Sequence, residues 1–222
     1  MVPFETVFEA AATRAGGAAA LETRMPVPKS AAELRGVDDD RYLSLMSRRV
    51  FRAGLKQSLV DAKWPAFEDA FMGFDPKRVR AMNDEALEAL LSEKRLIRHG
   101  PKMRAVMRNA AAVCALAEDT GGVGAYLADW PASAIVGLWD DIAKRFTQMG
   151  GRSAPVFLRM AGKDTFLLTD DVARALVRWG AIEGEPTGKA GRALVQAAFN
   201  RWAEESARPL SQISMALALS AG

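Results

Sequence analysis

Two adjacent carboxylates, Asp170 and Asp171, are the residues of this chain best placed by sequence to take part in a reaction. They follow an extended stretch over residues 162–169 and stand at the start of a helix. A carboxylate in this position can stabilise a developing cation or orient water for attack on it. Thr and Asp at a helix start are also ordinary caps, which satisfy the first amides and complement the helix dipole. The residues alone leave both interpretations open.

A pair of short amphipathic helices around Gly150 and Gly151 predicts a helix-hairpin-helix motif. One helix ends at these glycines and the next begins at Ser153, where Pro155 is tolerated in the first turn. Small residues let the turn amides approach a phosphate group, and the dipole of the second helix adds positive potential there. The alternative is a plain turn that only packs two helices together.

Cations recur on neighbouring turns of another predicted helix. Arg48, Arg49, Arg52 and Lys56 lie close together in sequence, and Phe51 is among the apolar residues of the opposite side. Such a face could line a groove that binds a polyanion, whereas a solvated basic surface is the alternative. The 30 Lys and Arg against 27 Asp and Glu, with a pI near 9.2, suit a polyanionic partner without requiring one.

The composition excludes several kinds of chemistry. The chain has one cysteine, Cys114, and one histidine, His99, which excludes a disulfide framework, a four-cysteine iron–sulfur cluster and a zinc site. We therefore expect no metal and no other cofactor. No apolar run approaches the length of a membrane span and no secretory signal is visible, so a cytoplasmic protein is expected.

Apolar residues recur at helical spacing through most of the chain, for example at Met103, Val106 and Ala110. This pattern predicts an all-α protein of roughly ten short helices separated by Gly, Pro, Asn and Asp clusters. We expect a loosely packed arm over residues 1–40, with one helix through residues 5–13.

A helical domain is expected to follow the arm, over residues 41–222. Within it we expect a middle lobe at about residues 42–130 and a lobe that contains the hairpin at about residues 131–222.

Two short motifs with a fixed separation give the most specific signal. Phe74, Asp75 and Pro76 form a turn that leads into a helix, and residues 96–103 (LIRHGPKM) begin the next long helix. This pair resembles the FDP turn and the IIRHRGKI-like segment of the 3-methyladenine DNA glycosylase I family, over about residues 44–180. The resemblance implies a two-lobed all-α fold with a helix-hairpin-helix motif. It also implies a base-excision repair enzyme, which flips an alkylated purine such as 3-methyladenine out of double-stranded DNA and hydrolyses its N-glycosidic bond.

The resemblance further implies a catalytic residue. In the wider superfamily, an aspartate at the helix start after the hairpin faces the sugar of the flipped nucleotide, and Asp170 fits that place best, with Asp171 next. The methyladenine family proper does not rely on this aspartate, so two templates compete for the assignment.

Binding roles are implied as well. Arg49 and Gln57 stand where the family has the pocket glutamate and a tryptophan, and four residues are expected in the base pocket: Trp64, Phe51, Arg49 and Gln57. DNA contacts are expected from Gly150, Gly151, Arg152, Ser153, Lys102, Arg104, His99 and Lys56.

The chain departs from the family pattern in three respects. The pocket glutamate is replaced by Arg49, the zinc ligands are absent, and Gln148 stands at the first hairpin glycine. Three hypotheses therefore remain: a glycosylase with an altered pocket, a non-catalytic DNA-binding protein that keeps the fold, and a helical protein-interaction domain whose basicity is incidental.

Overall fold

A computed structural model describes residues 1–221 and confirms the all-α fold. Within these residues there are fourteen α-helices, two 3-10 turns and no strand. The count exceeds the expected ten because several helices are only five residues long. The helices are α1 Phe4–Ala15, α2 Ala18–Glu22, α3 Ala31–Arg35, α4 Asp39–Arg52, α5 Gln57–Ala70, α6 Pro76–Arg80, α7 Asp84–Ser92, α8 Gly100–Thr120, α9 Val123–Asp129, α10 Ile135–Arg145, α11 Ser153–Ala161, α12 Asp170–Arg178, α13 Gly188–Ser206 and α14 Leu210–Ser220.

The chain divides into two compact units. The first unit contains Met1–Lys29, Pro131–Leu138 and the part from Gly162 onward, and the second contains Ser30–Trp130 and Trp139–Ala161. Segments of the two units alternate along the chain, so neither unit coincides with a continuous lobe of the kind expected from sequence. The hairpin region falls in the second unit with the middle helices.

The amino-terminal segment of the first unit is a packed helix rather than a loose arm. Phe4 and Phe8 lie on the apolar side of α1 and are buried, and α1 packs against α13 and α14. Trp202 of α13 is fully buried, lies 6.4 Å from the Phe4 ring and donates its indole N–H to the Val2 carbonyl oxygen at 3.0 Å. Apolar burial of this kind holds the segment in place.

Helix α8 is the longest element of the second unit, with 21 residues, and packs against α4, α6, α7 and α9. His99 caps its first turn by accepting a hydrogen bond from the Lys102 amide at 3.3 Å, and Gly121 ends it in the left-handed region with a φ of 82°. Its buried side includes Met103, Val106 and other apolar residues at helical spacing, as the sequence pattern predicts.

A column of aromatic rings forms much of the core between α4, α5 and the turn that follows. Trp64, Phe67, Phe71 and Phe74 stack with ring centroids 5.1–6.1 Å apart. Asp75 then caps α6, because its side chain accepts from the amides of the first helical turn at 2.9 and 3.2 Å. The FDP motif therefore closes the aromatic core and starts the next helix.

Residues 1–221 contain no helix with the length and apolar character needed to cross a bilayer.

Candidate nucleic-acid interface

The turn between α10 and α11 lies at the surface. Gly150, Gly151 and Arg152 are exposed, and a β-carbon built on either glycine would meet nothing within 4 Å. Gly151 has a φ of 59°, a conformation that favours glycine. Gln148, at the place of the missing hairpin glycine, has a φ of 61°. Two residues of this turn are therefore left-handed, and only one of them, Gly151, is a glycine.

Two amides of the turn are available to a ligand. Within residues 1–221, the N–H groups of Gly150 and Gly151 have no hydrogen-bond acceptor. Ser153 differs, because it is 7% exposed and its N–H donates to the Gly150 carbonyl oxygen at 3.1 Å. The exposed amides precede the positive end of α11, so the turn can offer donors to an anion.

A buried asparagine of α8 fixes the base of this turn. Asn109 is fully buried, its Oδ1 accepts from the Thr147 amide at 2.7 Å, and its Nδ2 donates to the Thr147 carbonyl oxygen at 3.2 Å. The sequence reasoning missed this residue. The available signal was a polar residue on the buried side of α8, beside Val106 and Ala110.

The turn is also tied to the start of α8. Gln148 donates from Nε2 to the Pro101 carbonyl oxygen at 3.0 Å. His99 and Arg104, two of the predicted DNA contacts, are exposed at this end of α8. The second unit therefore brings the hairpin turn, His99 and Arg104 into one region.

Lys102 is placed differently from the exposed phosphate contact expected of it. It is 8% exposed, and its ammonium donates to the carbonyl oxygens of Phe51 (3.1 Å) and Ala53 (2.6 Å) at the end of α4. Burial lowers its pKa, and the neighbouring Arg49 lowers it further. Lys102 thus joins α8 to α4, because it satisfies carbonyls that the end of a helix leaves unpaired.

The basic face of α4 is partly neutralised by one carboxylate. Asp61 of α5 accepts from Arg52 at 2.6 Å on one oxygen and 2.7 Å on the other, and from Arg48 at 2.9 Å. The hydrogen bond from Arg52 is the main cause that holds the pKa of Asp61 below its ordinary value of 3.8. Two of the predicted cations are therefore fixed by an acid that the sequence reasoning did not single out.

Arg49 has no such partner. Its side chain is half-buried, its Nε atom is buried, and Nε has no hydrogen-bond acceptor among residues 1–221. Burial, together with the nearby charges of Arg152 and Arg52, lowers its pKa. The structure therefore places an uncompensated cation where the resemblance to the glycosylase family puts an acid.

The other predicted pocket residues do not share one environment. Trp64 and Phe51 are 5% and 0% exposed, and the Trp64 ring stacks on Phe74 at 5.4 Å. The Trp64 indole N–H donates to Ser44 Oγ at 3.0 Å. These two rings form core rather than an open stacking surface, because their faces are already covered. Gln57, by contrast, is exposed at the start of α5.

Lys56 immediately precedes Gln57 at that helix start and is likewise exposed.

The two candidate carboxylates lie at the start of α12, in the first unit. Thr169 caps this helix by accepting from the Val172 amide at 3.2 Å, so the cap role does not require either aspartate. Asp171 is exposed and pairs with Arg174. Asp170 is exposed and lines a surface cavity of about 670 Å³. The cavity leaves room for a ligand beside Asp170.

No cluster of His, Cys, Asp and Glu suited to a metal ion occurs in the described part of the chain.

Sequence comparison gives two matches. A family model described as methyladenine glycosylase matches residues 34–149, just over half of the chain. The DNA-3-methyladenine glycosylase of Haemophilus influenzae is 35% identical over 65 residues, which cover 29% of this chain and 35% of that protein. The match to this curated relative thus spans well under two thirds of its length.

Solved structures give a likeness in fold. A structure of 3-methyladenine DNA glycosylase I matches with a TM-score of 0.51 and 22% identity, covering 65% of this chain and 86% of the other. The 3-methyladenine DNA glycosylase I of Staphylococcus aureus, whose structure concerns 3-methyladenine recognition, matches with a TM-score of 0.51 and 21% identity, covering 56% and 77%.

Proposed function

The chain belongs to the methyladenine glycosylase family, and from this membership we propose that it is a DNA base-excision repair glycosylase that removes alkylated purines such as 3-methyladenine. Its partner would be double-stranded DNA that contains alkylated bases. It would be located in the cytoplasm. The observation that carries the proposal is the exposed hairpin turn, with two unpaired amides at Gly150 and Gly151, on a chain of this family.

The proposed binding step uses backbone contacts. The turn amides would donate to a phosphate oxygen, and the exposed cations Arg104 and Lys56 would add attraction that weakens as salt rises. Such contacts position the duplex without reading its sequence. The flipped nucleotide would then be held for cleavage of its N-glycosidic bond.

The proposed chemical step requires little machinery for a cationic base. An N3-alkylated adenine is a good leaving group because the positive charge is neutralised as the bond to the sugar breaks. The sugar then carries cationic character, which a carboxylate can stabilise, and the same carboxylate can orient the attacking water. Asp170, exposed beside a cavity, is our candidate for this role, with Asp171 second.

The test is release of 3-methyladenine and 7-methylguanine from alkylated duplex DNA. We expect release by the wild type and a loss of about a hundredfold in Asp170→Asn, which is the typical contribution of a positioned acid or base. Asp171→Asn shows which of the two carboxylates matters. Asp69→Asn is the charge-matched control, because the Asp69 side chain is 73% exposed and lies in the second unit. Full release by Asp170→Asn would reject the catalytic assignment.

A second candidate is a non-catalytic DNA-binding protein that keeps the glycosylase fold. Arg49 favours it, because an uncompensated guanidinium repels a cationic base. Salt-sensitive binding of duplex DNA without base release from any alkylated substrate would support this candidate. Absence of binding even at low salt would contradict both functions and leave the protein-interaction hypothesis.

A further inference from the structure

Several cations meet in the second unit around Arg49. Arg52 is on the same helix, Arg152 lies in the hairpin turn, and Lys102 reaches from α8, and each is close enough to couple electrostatically to Arg49. Helix α11, which follows Arg152, packs directly against α4. The region therefore brings together positive charges from three separate parts of the sequence.

These cations differ in what they are free to contact. The Lys102 ammonium donates to two carbonyl oxygens, and the Arg52 guanidinium donates to Asp61 and to Met160 Sδ. The Arg49 side chain makes no hydrogen bond or ion pair with residues 1–221. Arg49 is thus the residue of the cluster whose side chain is left to contact a bound anion, and its neighbours supply positive electrostatic potential.

The arrangement destabilises the protein in the absence of a ligand. A buried donor without an acceptor loses its hydration and gains nothing in return, and like charges in a partly buried region repel one another. An external anion beside the half-buried Arg49 side chain would offset the repulsion by supplying the opposite charge. The guanidinium fork matches the oxygen geometry of a phosphate, and several surrounding cations suit a group with more than one negative oxygen.

We propose that Arg49 binds a phosphate group, in the potential of Arg52, Lys102 and Arg152, and that it does not contact the base. The position that the family resemblance assigns to base recognition is then a phosphate site in this chain. The inference rests on the proposed function in one respect only, which is that the phosphate belongs to the DNA backbone. The site itself requires no glycosylase activity.

The first experiment uses inorganic phosphate as the probe. Thermal unfolding of the wild type, Arg49→Gln and Arg49→Lys is followed in phosphate and in chloride at equal ionic strength. The general effect of phosphate on burial acts on all variants alike, so the difference between variants reports the site. We expect phosphate to raise the Tm of the wild type and of Arg49→Lys more than that of Arg49→Gln. In chloride, Arg49→Gln should melt no lower than the wild type, because it loses only an unpaired charge.

The second experiment measures binding of an undamaged duplex as a function of salt. The loss of one phosphate contact should reduce the slope of log K against log salt by about 0.9 in Arg49→Gln. Arg201→Gln is the matched control, because Arg201 is an exposed arginine of α13 in the first unit. Its slope should stay close to that of the wild type.

Three results would overturn the proposal. The first is an equal phosphate effect in the wild type and Arg49→Gln. The second is a large fall in Tm of Arg49→Gln in chloride, which would show a structural role. The third is an unchanged salt slope with altered preference for damaged over undamaged duplex, which would show that Arg49 contacts the base.

Two other results would support the phosphate site. A wild type that binds phosphate and duplex but releases no base would contradict the proposed glycosylase function and support the site. Phosphate stabilisation without duplex binding would support the site with free phosphate as its ligand.

Discussion

The buried Asn109 allows a decisive test of the hairpin turn. Asn109→Ala removes two hydrogen bonds to Thr147, at 2.7 and 3.2 Å, without changing any exposed charge. Thr147 is half-buried, so its amide and carbonyl would lose their partners in a place that water reaches only in part. The turn would lose its attachment to α8 on this side.

The magnitude follows from the two bonds and the burial. Each hydrogen bond contributes about 1 kcal/mol net, and the partners left partly buried raise the total to about 2–3 kcal/mol of unfolding free energy. For a chain of this length, a loss of this size lowers Tm by roughly 5 °C or more. Duplex binding should fall by about tenfold, since the turn amides must be held in one geometry for a phosphate contact.

The assay combines thermal unfolding by circular dichroism with fluorescence anisotropy on a labelled duplex, well below both melting temperatures. Asn83→Ala is the matched control, because Asn83 caps α7 by accepting from the Ala86 amide at 3.0 Å, a local bond that does not involve the hairpin turn. Its cap is worth about 1 kcal/mol, so stability falls without a change in the turn. If Asn109→Ala bound duplex DNA as tightly as the control did, the hairpin turn would not be the DNA contact.

Two further predictions concern the turn and the basic face. Gly151→Val places a β-branched residue at a φ of 59°, so we expect a loss of about 1–2 kcal/mol and weaker duplex binding. Gly150→Ala is the control, because φ at Gly150 is not positive and a β-carbon there meets nothing within 4 Å. It should leave the free energy of unfolding, measured with denaturant, and duplex binding unchanged. Equal effects of the two substitutions would contradict this reasoning. Asp61 has a depressed pKa, so its stabilisation is present above pH 3.8 and is lost as pH falls through the lower folded value. The free energy of unfolding should therefore depend less on pH in Asp61→Asn over this range. At neutral pH the substitution should cost under about 1 kcal/mol, because the ion pairs of Asp61 are partly exposed. An unchanged pH dependence in acid would show that Asp61 does not contribute.

Local signals in the sequence were enough to identify the family and much of the fold. The FDP motif and residues 96–103 led to the family that the comparison confirms. The helical spacing of Met103 and Val106 predicted the buried side of α8. Pro209, which cannot continue a helix, likewise stands between α13 and α14. These features depend on neighbours within a few turns, which a sequence displays directly.

Features that depend on distant partners were not predictable in the same way. Asn109 is only a polar residue in a helix until Thr147, 38 positions later, is brought beside it. Lys102 looks like a surface cation, and only its proximity to the end of α4 shows that it binds carbonyls. Trp64 was expected in the base pocket, but Phe67 and Phe74 already cover its ring. In each case the partner's position, not the residue type, decides the role.

The contacts of α1 with α13 and α14 bear on how the protein folds during its synthesis. The Phe4 amide donates to Glu205 of α13 at 2.8 Å, across 201 positions, and the apolar side of α1 is buried where α1 packs against α13 and α14. On the ribosome, α1 cannot dock until Glu205, 201 positions after Phe4, has been made. Until then Phe4 and Phe8 lack their native partners, so the nascent polypeptide carries an exposed apolar segment that a chaperone can shield.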